Sequence, residues 1–382
     1  MDAKGRLNAL AGLRWVAAAV VGVAHLPAVS HDPTLGRVAG RMLSEGLYGL
    51  TFFFVLSGFV LAFGYHARLA QPTSTTLRSY YVARVARIWP LHLFTLGLTL
   101  LLPFSPWPGG TGPFLANAFL LHAWVPDLAY IQSYNAVSWT LSIEAFFYLL
   151  CPLMLWLAGR TTAGPVRLYL MAAGVWLLTL AIVVPNMWSE GIWPLYLCNA
   201  CPAARMGEFT VGLLLGLAYV RGGVRSGPAG TPRLRRLWTL AELVAVAVVV
   251  LLIYRCHRVP LLFRMNGYYI PAVAVLVAVF ARERGAISRI LASKPSLYLS
   301  DISFAFYLLH GIVFTYLGTL LEPHLSAWPR SALLMLANAL AAAAAFHGIE
   351  TPVRERIIRW LTPRKPTTLR LPAMPQSTPR AA

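Results

Sequence analysis

Stretches of about 20 apolar residues recur from one end of this chain to the other, and each is long enough to cross the hydrocarbon core of a bilayer as a helix. We place spans at roughly 8–28, 47–66, 88–104, 137–158, 168–186, 203–220, 238–254, 268–281, 297–320 and 331–350. The expected fold class is therefore all-α: a polytopic membrane helical bundle of about ten transmembrane helices. Segment 113–125 is also apolar, but it contains Asn117 and His122 and lies between prolines, so a re-entrant or interfacial piece is expected there. Composition agrees. Hydrophobic residues make up 58% of the 382 and charged residues 12%, against about 25% charged in soluble domains.

The net charge of +19 would suit a nucleic-acid partner, but the distribution excludes one. Basic residues sit in short clusters between apolar runs, not on one amphipathic face. With the N-terminus placed in the cytoplasm, 24 of the 32 Lys and Arg residues fall inside and six fall outside. That bias sets the orientation. The awkward loop is 255–266, which leaves Arg255, Arg258 and Arg264 outside. Lys4 and Arg6 before the first span give it the flank of a signal peptide, but Arg14 and His25 interrupt its apolar run, so a retained helix is expected. Residues 1–361 then form one transmembrane domain, and the Pro-, Thr- and Arg-rich segment 362–382 a disordered cytoplasmic tail. Cys198 and Cys201 form a C-x-x-C with no second pair at zinc spacing, so no metal site is expected.

Ionisable side chains inside the hydrocarbon are costly and mark function. Arg14 and His25 share the first helix, about 20° apart around it and about 16 Å apart along it. His25, Glu144 and Glu208 are expected at one outer depth. Arg14, Arg84, Arg87 and Glu350 are expected at the inner boundary. A basic inner layer suits phosphate, which guanidinium forks bind bidentately. His25 with Glu144, the carboxylate orienting the imidazole through its other ring nitrogen, is the expected catalytic pair, and such a pair suits proton transfer. Arg205 precedes Glu208 by three residues, and the two could neutralise each other. Tyr307 and His310 are i,i+3 neighbours on the ninth helix, with Ser303 one turn earlier.

These residues, taken in order, resemble the acyltransferase family 3, integral-membrane enzymes that O-acylate sugars and other alcohols. Arg14-x10-His25 resembles that family's first-helix signature, and Phe52-Phe53-Phe54-Val55-Leu56-Ser57-Gly58-Phe59 its second-helix motif. Arg84-x-x-Arg87-Ile88-x-Pro90 is similar to its cytoplasmic arginine pair. Ser138-Trp139-Thr140-Leu141-Ser142-Ile143-Glu144-x-x-Phe147-Tyr148, Ser303–His310 and Ile349-Glu350-x-Pro352 follow in the expected order. The resemblance covers residues 8 to 354 and implies acyl-CoA, usually acetyl-CoA, as co-substrate. It implies His25 as the essential histidine, Arg14, Arg84 and Arg87 as donor supports, and Glu144 as a motif residue of less settled role. The acceptor it implies is a glycan or a glycosylated small molecule, and the setting is the cell membrane. Some members carry a fused esterase-like domain, which is not expected at this length. Direct attack with His25 as general base and an acyl-enzyme on His25 or Ser142 both fit the residues. A transporter or flippase is the main alternative, since the same residue types mark transport pathways, although paired broken helices are not evident. A lipid-dependent glycosyltransferase would want clustered acidic residues in the outer loops, which are absent.

Overall fold

A computed structural model describes residues 7–30, 37–102, 108–223 and 230–362. The expected tail lies almost wholly outside these residues. Eleven helices carry the architecture: α1 (Asn8–Ala24), α2 (Leu50–Leu69), α3 (Ser74–Leu101), α4 (Trp139–Gly159), α5 (Pro165–Asn186), α6 (Pro202–Arg221), α7 (Pro232–Arg255), α8 (Ile270–Phe280), α9 (Lys294–Leu321), α10 (Ala327–Ala345) and α11 (Thr351–Leu361). Among the described residues, eight helical stretches are long and apolar enough to cross a membrane. The other two expected spans are α1, of 17 residues, and α3, whose first half carries Arg78, Arg84 and Arg87. The chain is a polytopic helical membrane bundle.

One boundary departs from expectation. The third span was expected from 88, with 67–87 as a loop, yet α3 begins at Ser74. A capping box at Thr73 starts it: the Thr73 hydroxyl accepts from the Thr76 amide while the Thr76 side chain reaches back to the Thr73 amide. Arg84 and Arg87 are thus i,i+3 neighbours on a helix rather than loop residues.

Segment 111–138 does not cross. Its longest helix, Thr111–Ala118, has eight residues, about 12 Å of rise. Buried polar side chains pin it: His92 donates to the Asn117 carbonyl (2.8 Å), and Asn117 donates to the Ser133 carbonyl (2.9 Å).

The most extensive helix pairing joins α2 to α6, and glycines permit it. A methyl group on Gly58 would strike the Phe209 carbonyl, and one on Gly212 would strike the Val55 carbonyl. Without a hydrophobic drive between helices in lipid, such backbone approach supplies the packing. Gly212→Ala is expected to destabilise the protein by about 1–3 kcal/mol through overpacking. Thermal unfolding in detergent, followed by thiol labelling of the buried Cys151 and Cys198, measures this.

Three carboxylates fasten loops, Glu45 and Glu242 buried and Glu283 half-buried. Glu283, between α8 and α9, accepts from the Ala9 amide (2.8 Å) and so caps the N-terminus of α1. Burial pushes its carboxyl up from the ordinary value, opposed by the α1 amides. Glu242 of α7 accepts from the amides of Gly285, Ile287 and Ser288. Glu45 accepts from Arg264 and from the Tyr269 hydroxyl. Of the three arginines in the loop expected outside, this contact accounts for Arg264, while Arg255 and Arg258 are exposed. Cys198 and Cys201 are both free thiols.

Candidate active site

α1 lies along α9, and three contacts set their relation. Arg14 donates through Nη2 to the carbonyl and the hydroxyl of Ser300, at 3.0 Å each. A methyl on Gly22 would sit 3.0 Å from the Phe306 ring. The His25 ring lies 4.8 Å from that of His310, centroid to centroid. Residue numbers rise together on the two helices, so they run parallel, as a first and a ninth span must. Arg14 and His25 share a face, as their spacing requires.

Arg14 opens onto a cavity of about 180 Å³ enclosed by α1, α2, α3, α4 and α9. Arg84, Arg87 and Glu144 line the same space. The Arg84 guanidinium sits among three tyrosines, 5.4–5.9 Å from the rings of Tyr65, Tyr80 and Tyr148. It donates to the Tyr65 hydroxyl at 3.3 Å, and its Nε has no hydrogen-bond partner. Among the described residues no carboxylate lies within ion-pair distance of Arg84. Arg87, by contrast, is ion-paired to the buried Glu350, which also faces Arg354 at 3.7 Å. Glu350 thereby orients Arg87 from the junction of α10 and α11, 263 residues along the chain.

Two expectations about carboxylates are corrected. Glu144 does not meet His25. Its Oε1 accepts from the Tyr148 hydroxyl one turn further along α4 and from Ser57 of α2 at 3.4 Å, which places it with the arginines. Depth along a helix does not set which neighbour a side chain faces. Glu208 joins neither layer: it pairs with Arg205 at 2.9 Å, accepts from Thr51 at 2.6 Å, and lies outside the cavity lining. Arg205 also donates to the Met265 carbonyl. Ser142 is likewise withdrawn, since its buried hydroxyl donates to the Leu120 carbonyl at 2.6 Å. A serine so engaged, outside the cavity lining, is not a poised nucleophile.

His25 itself is not in the cavity lining. It caps the exposed end of α1, where Nδ1 donates to the Val21 carbonyl at 2.9 Å. Tyr307 stands between. It lines the cavity, its hydroxyl bonds the Val137 carbonyl (3.2 Å) and Thr140 (3.1 Å), and its ring lies 5.5 Å from that of His310. Sequence reasoning missed Ser57, Tyr148 and Ser300 as neighbours of the charges. The first two lie inside the quoted motifs, a signal that was available; Ser300 and Tyr65 carried none.

The comparisons with known proteins bear on the same stretch. The model of the acyltransferase domain of family 3 matches residues 7–347. The chain belongs to the acyltransferase family 3. It is 30% identical over 392 residues to the acyltransferase MdmB of Streptomyces mycarofaciens, covering 94% of each chain. It is 23% identical over 325 residues to the peptidoglycan O-acetyltransferase OatA of Listeria monocytogenes, covering 81% of this chain and 51% of that one. It thus spans nearly all of the first relative and about half of the second. No solved structure matches. This member of the family is a membrane-embedded acyltransferase, and its Arg14, Arg84, Arg87, Glu144 cavity falls wholly within the matched residues.

Proposed function

We propose that this acyltransferase takes an acetyl group from acetyl-CoA on the cytoplasmic side of the cell membrane. The group passes to a hydroxyl of a glycan or a glycosylated small molecule, with His25 as general base. The observation that carries the reading is the convergence of three guanidinium groups, from α1 and α3, on one cavity whose wall, Tyr307, adjoins His310, which in turn adjoins His25. Arginine forks are suited to the phosphates of the donor. The exposed His25, at the other end of α1, is suited to an acceptor arriving from outside. The peptidoglycan acceptor named for OatA supports a carbohydrate.

In the proposed step the acceptor O–H bond breaks and its proton goes to Nε2 of His25. The oxygen forms a bond to the thioester carbon, and the carbonyl electron pair moves onto its oxygen. Collapse restores the carbonyl, breaks the C–S bond and expels the thiolate, which takes the proton from His25. Direct attack is preferred to an acyl-serine because Ser142 is hydrogen-bonded away from the cavity. Glu144 is assigned to the donor side, where Tyr148 links it to Arg84.

The test follows thiol release from acetyl-CoA by purified protein with a panel of glycan and glycosylated acceptors, beside direct CoA binding. Thiol release that depends on the acceptor is expected. Absence of both turnover and CoA binding would sink this reading and bring forward transport. Arg84→Gln is expected to weaken CoA binding by about 10- to 100-fold, the weight of one hydrogen bond to a charged group. Titration of CoA by calorimetry reads this directly.

A further inference from the structure

The two adjacent imidazoles are held in one and the same tautomer. Nδ1 of His25 faces the Val21 carbonyl, and Nδ1 of His310 faces the Tyr307 carbonyl. A carbonyl oxygen only accepts, so both Nδ1 atoms carry hydrogen, and in the neutral rings both Nε2 atoms present lone pairs. The Nε2 of His310 is buried and has no hydrogen-bond partner. An orphaned acceptor in a fully buried side chain is a cost that needs a reason. The rings lie 4.8 Å apart with their planes tilted by 59°, close enough for the ring edges to touch. Phe314, Tyr307 and His25 surround His310.

Resting on the reaction proposed above, we propose that His310 is the positioning residue for the transferred proton: its Nε2 accepts a hydrogen bond from His25 once His25 has taken the acceptor's proton. Before transfer the pair holds two lone pairs and no mobile proton. After transfer one proton lies on the Nε2 of His25, with the Nε2 of His310 as acceptor. It leaves with the thiolate, so the pair returns to its starting state with nothing gained or lost. His310 touches neither thioester nor alcohol. It acts through His25, stabilising the imidazolium that forms only during the reaction, which is where binding accelerates a step. The Tyr307 carbonyl fixes the ring that does this, and the Tyr307 side chain walls the cavity. The residue at the cavity wall and the residue that accepts from the protonated His25 are thus one helical turn apart.

Histidine-labelled protein in detergent tests the arrangement without turnover. The ¹⁵N signals of His25 and His310, assigned with the variants His25→Ala and His310→Gln, are expected to show hydrogen on Nδ1 and none on Nε2 for both rings at pH 8. Hydrogen on the Nε2 of His310 would overturn the inference and leave the proposed function standing. The kinetic arm uses acetyl-CoA with N-acetylhexosamine disaccharides, or with water alone as acceptor. His310→Phe is expected to lower kcat by about 10- to 100-fold with the KM for acetyl-CoA within about twofold. His310→Gln, which places an amide oxygen near the lost Nε2, is expected to recover most of that loss. Wild-type kcat in His310→Phe, or no recovery in His310→Gln, would overturn the inference. Undiminished turnover in His25→Ala would instead remove the base from the proposed reaction.

Discussion

His25→Ala is expected to lower acetyl transfer by about 10² to 10⁴, the usual contribution of a general base, while CoA binding stays unchanged. The separation of these two effects follows from the geometry. Arg14 and His25 lie eleven residues apart on α1, and the arginine cavity does not include His25 in its lining. Among the described residues the hydrogen bond of the His25 side chain is to the Val21 carbonyl in its own helix, so its removal costs the fold little. Turnover, CoA affinity and the unfolding midpoint, measured on one preparation, separate chemistry from structure. A variant that loses affinity and stability together with rate would show that His25 packs and does not react. A variant with full rate would show that the proton goes elsewhere.

Glu208→Ala is expected to lower stability by about 3–5 kcal/mol, because it leaves the Arg205 guanidinium buried without its counter-charge. Arg205 and Glu208 are both fully buried, and the Thr51 hydroxyl also depends on this carboxylate. The double change Arg205→Met with Glu208→Leu is expected to recover most of the loss, since apolar residues of similar volume often replace a buried pair at no cost. Thermal unfolding of the wild type and the two variants decides it. A double change as destabilised as the single one would show that the hydrogen bond of Arg205 to the Met265 carbonyl, lost only in the double change, stabilises as much as the unpaired buried charge costs.

Much of this was readable from residue order. Arg14 and His25 were expected on one face from their spacing, and both meet α9. The pairing of Arg205 with Glu208 lay within one helical turn and was legible for that reason. Contacts between distant segments were not. Nothing local joins Arg87 to Glu350, or Glu283 to the amide of Ala9, since each pair is set by how helices dock. The start of α3 was misplaced because arginines among apolar residues read as an inner loop, although the threonine pair at 73 and 76 marked a helix start. Glu144 was assigned to His25 on depth alone. Its neighbours Ser57 and Tyr148 decided otherwise, and they sat in the same quoted motifs.

The parallel run of α1 along α9 amounts to a ruler. One mark is the level of Arg14 and Ser300, the other the level of His25 and His310, and eleven residues of helix set them about 16 Å apart. For the proposed reaction, a thioester must be gripped at the first mark while its acyl carbon stands at the second. An acetyl thioester with a short, uncharged thiol reaches one mark at a time. Selection among donors on this enzyme is then a matter of length before it is a matter of chemistry.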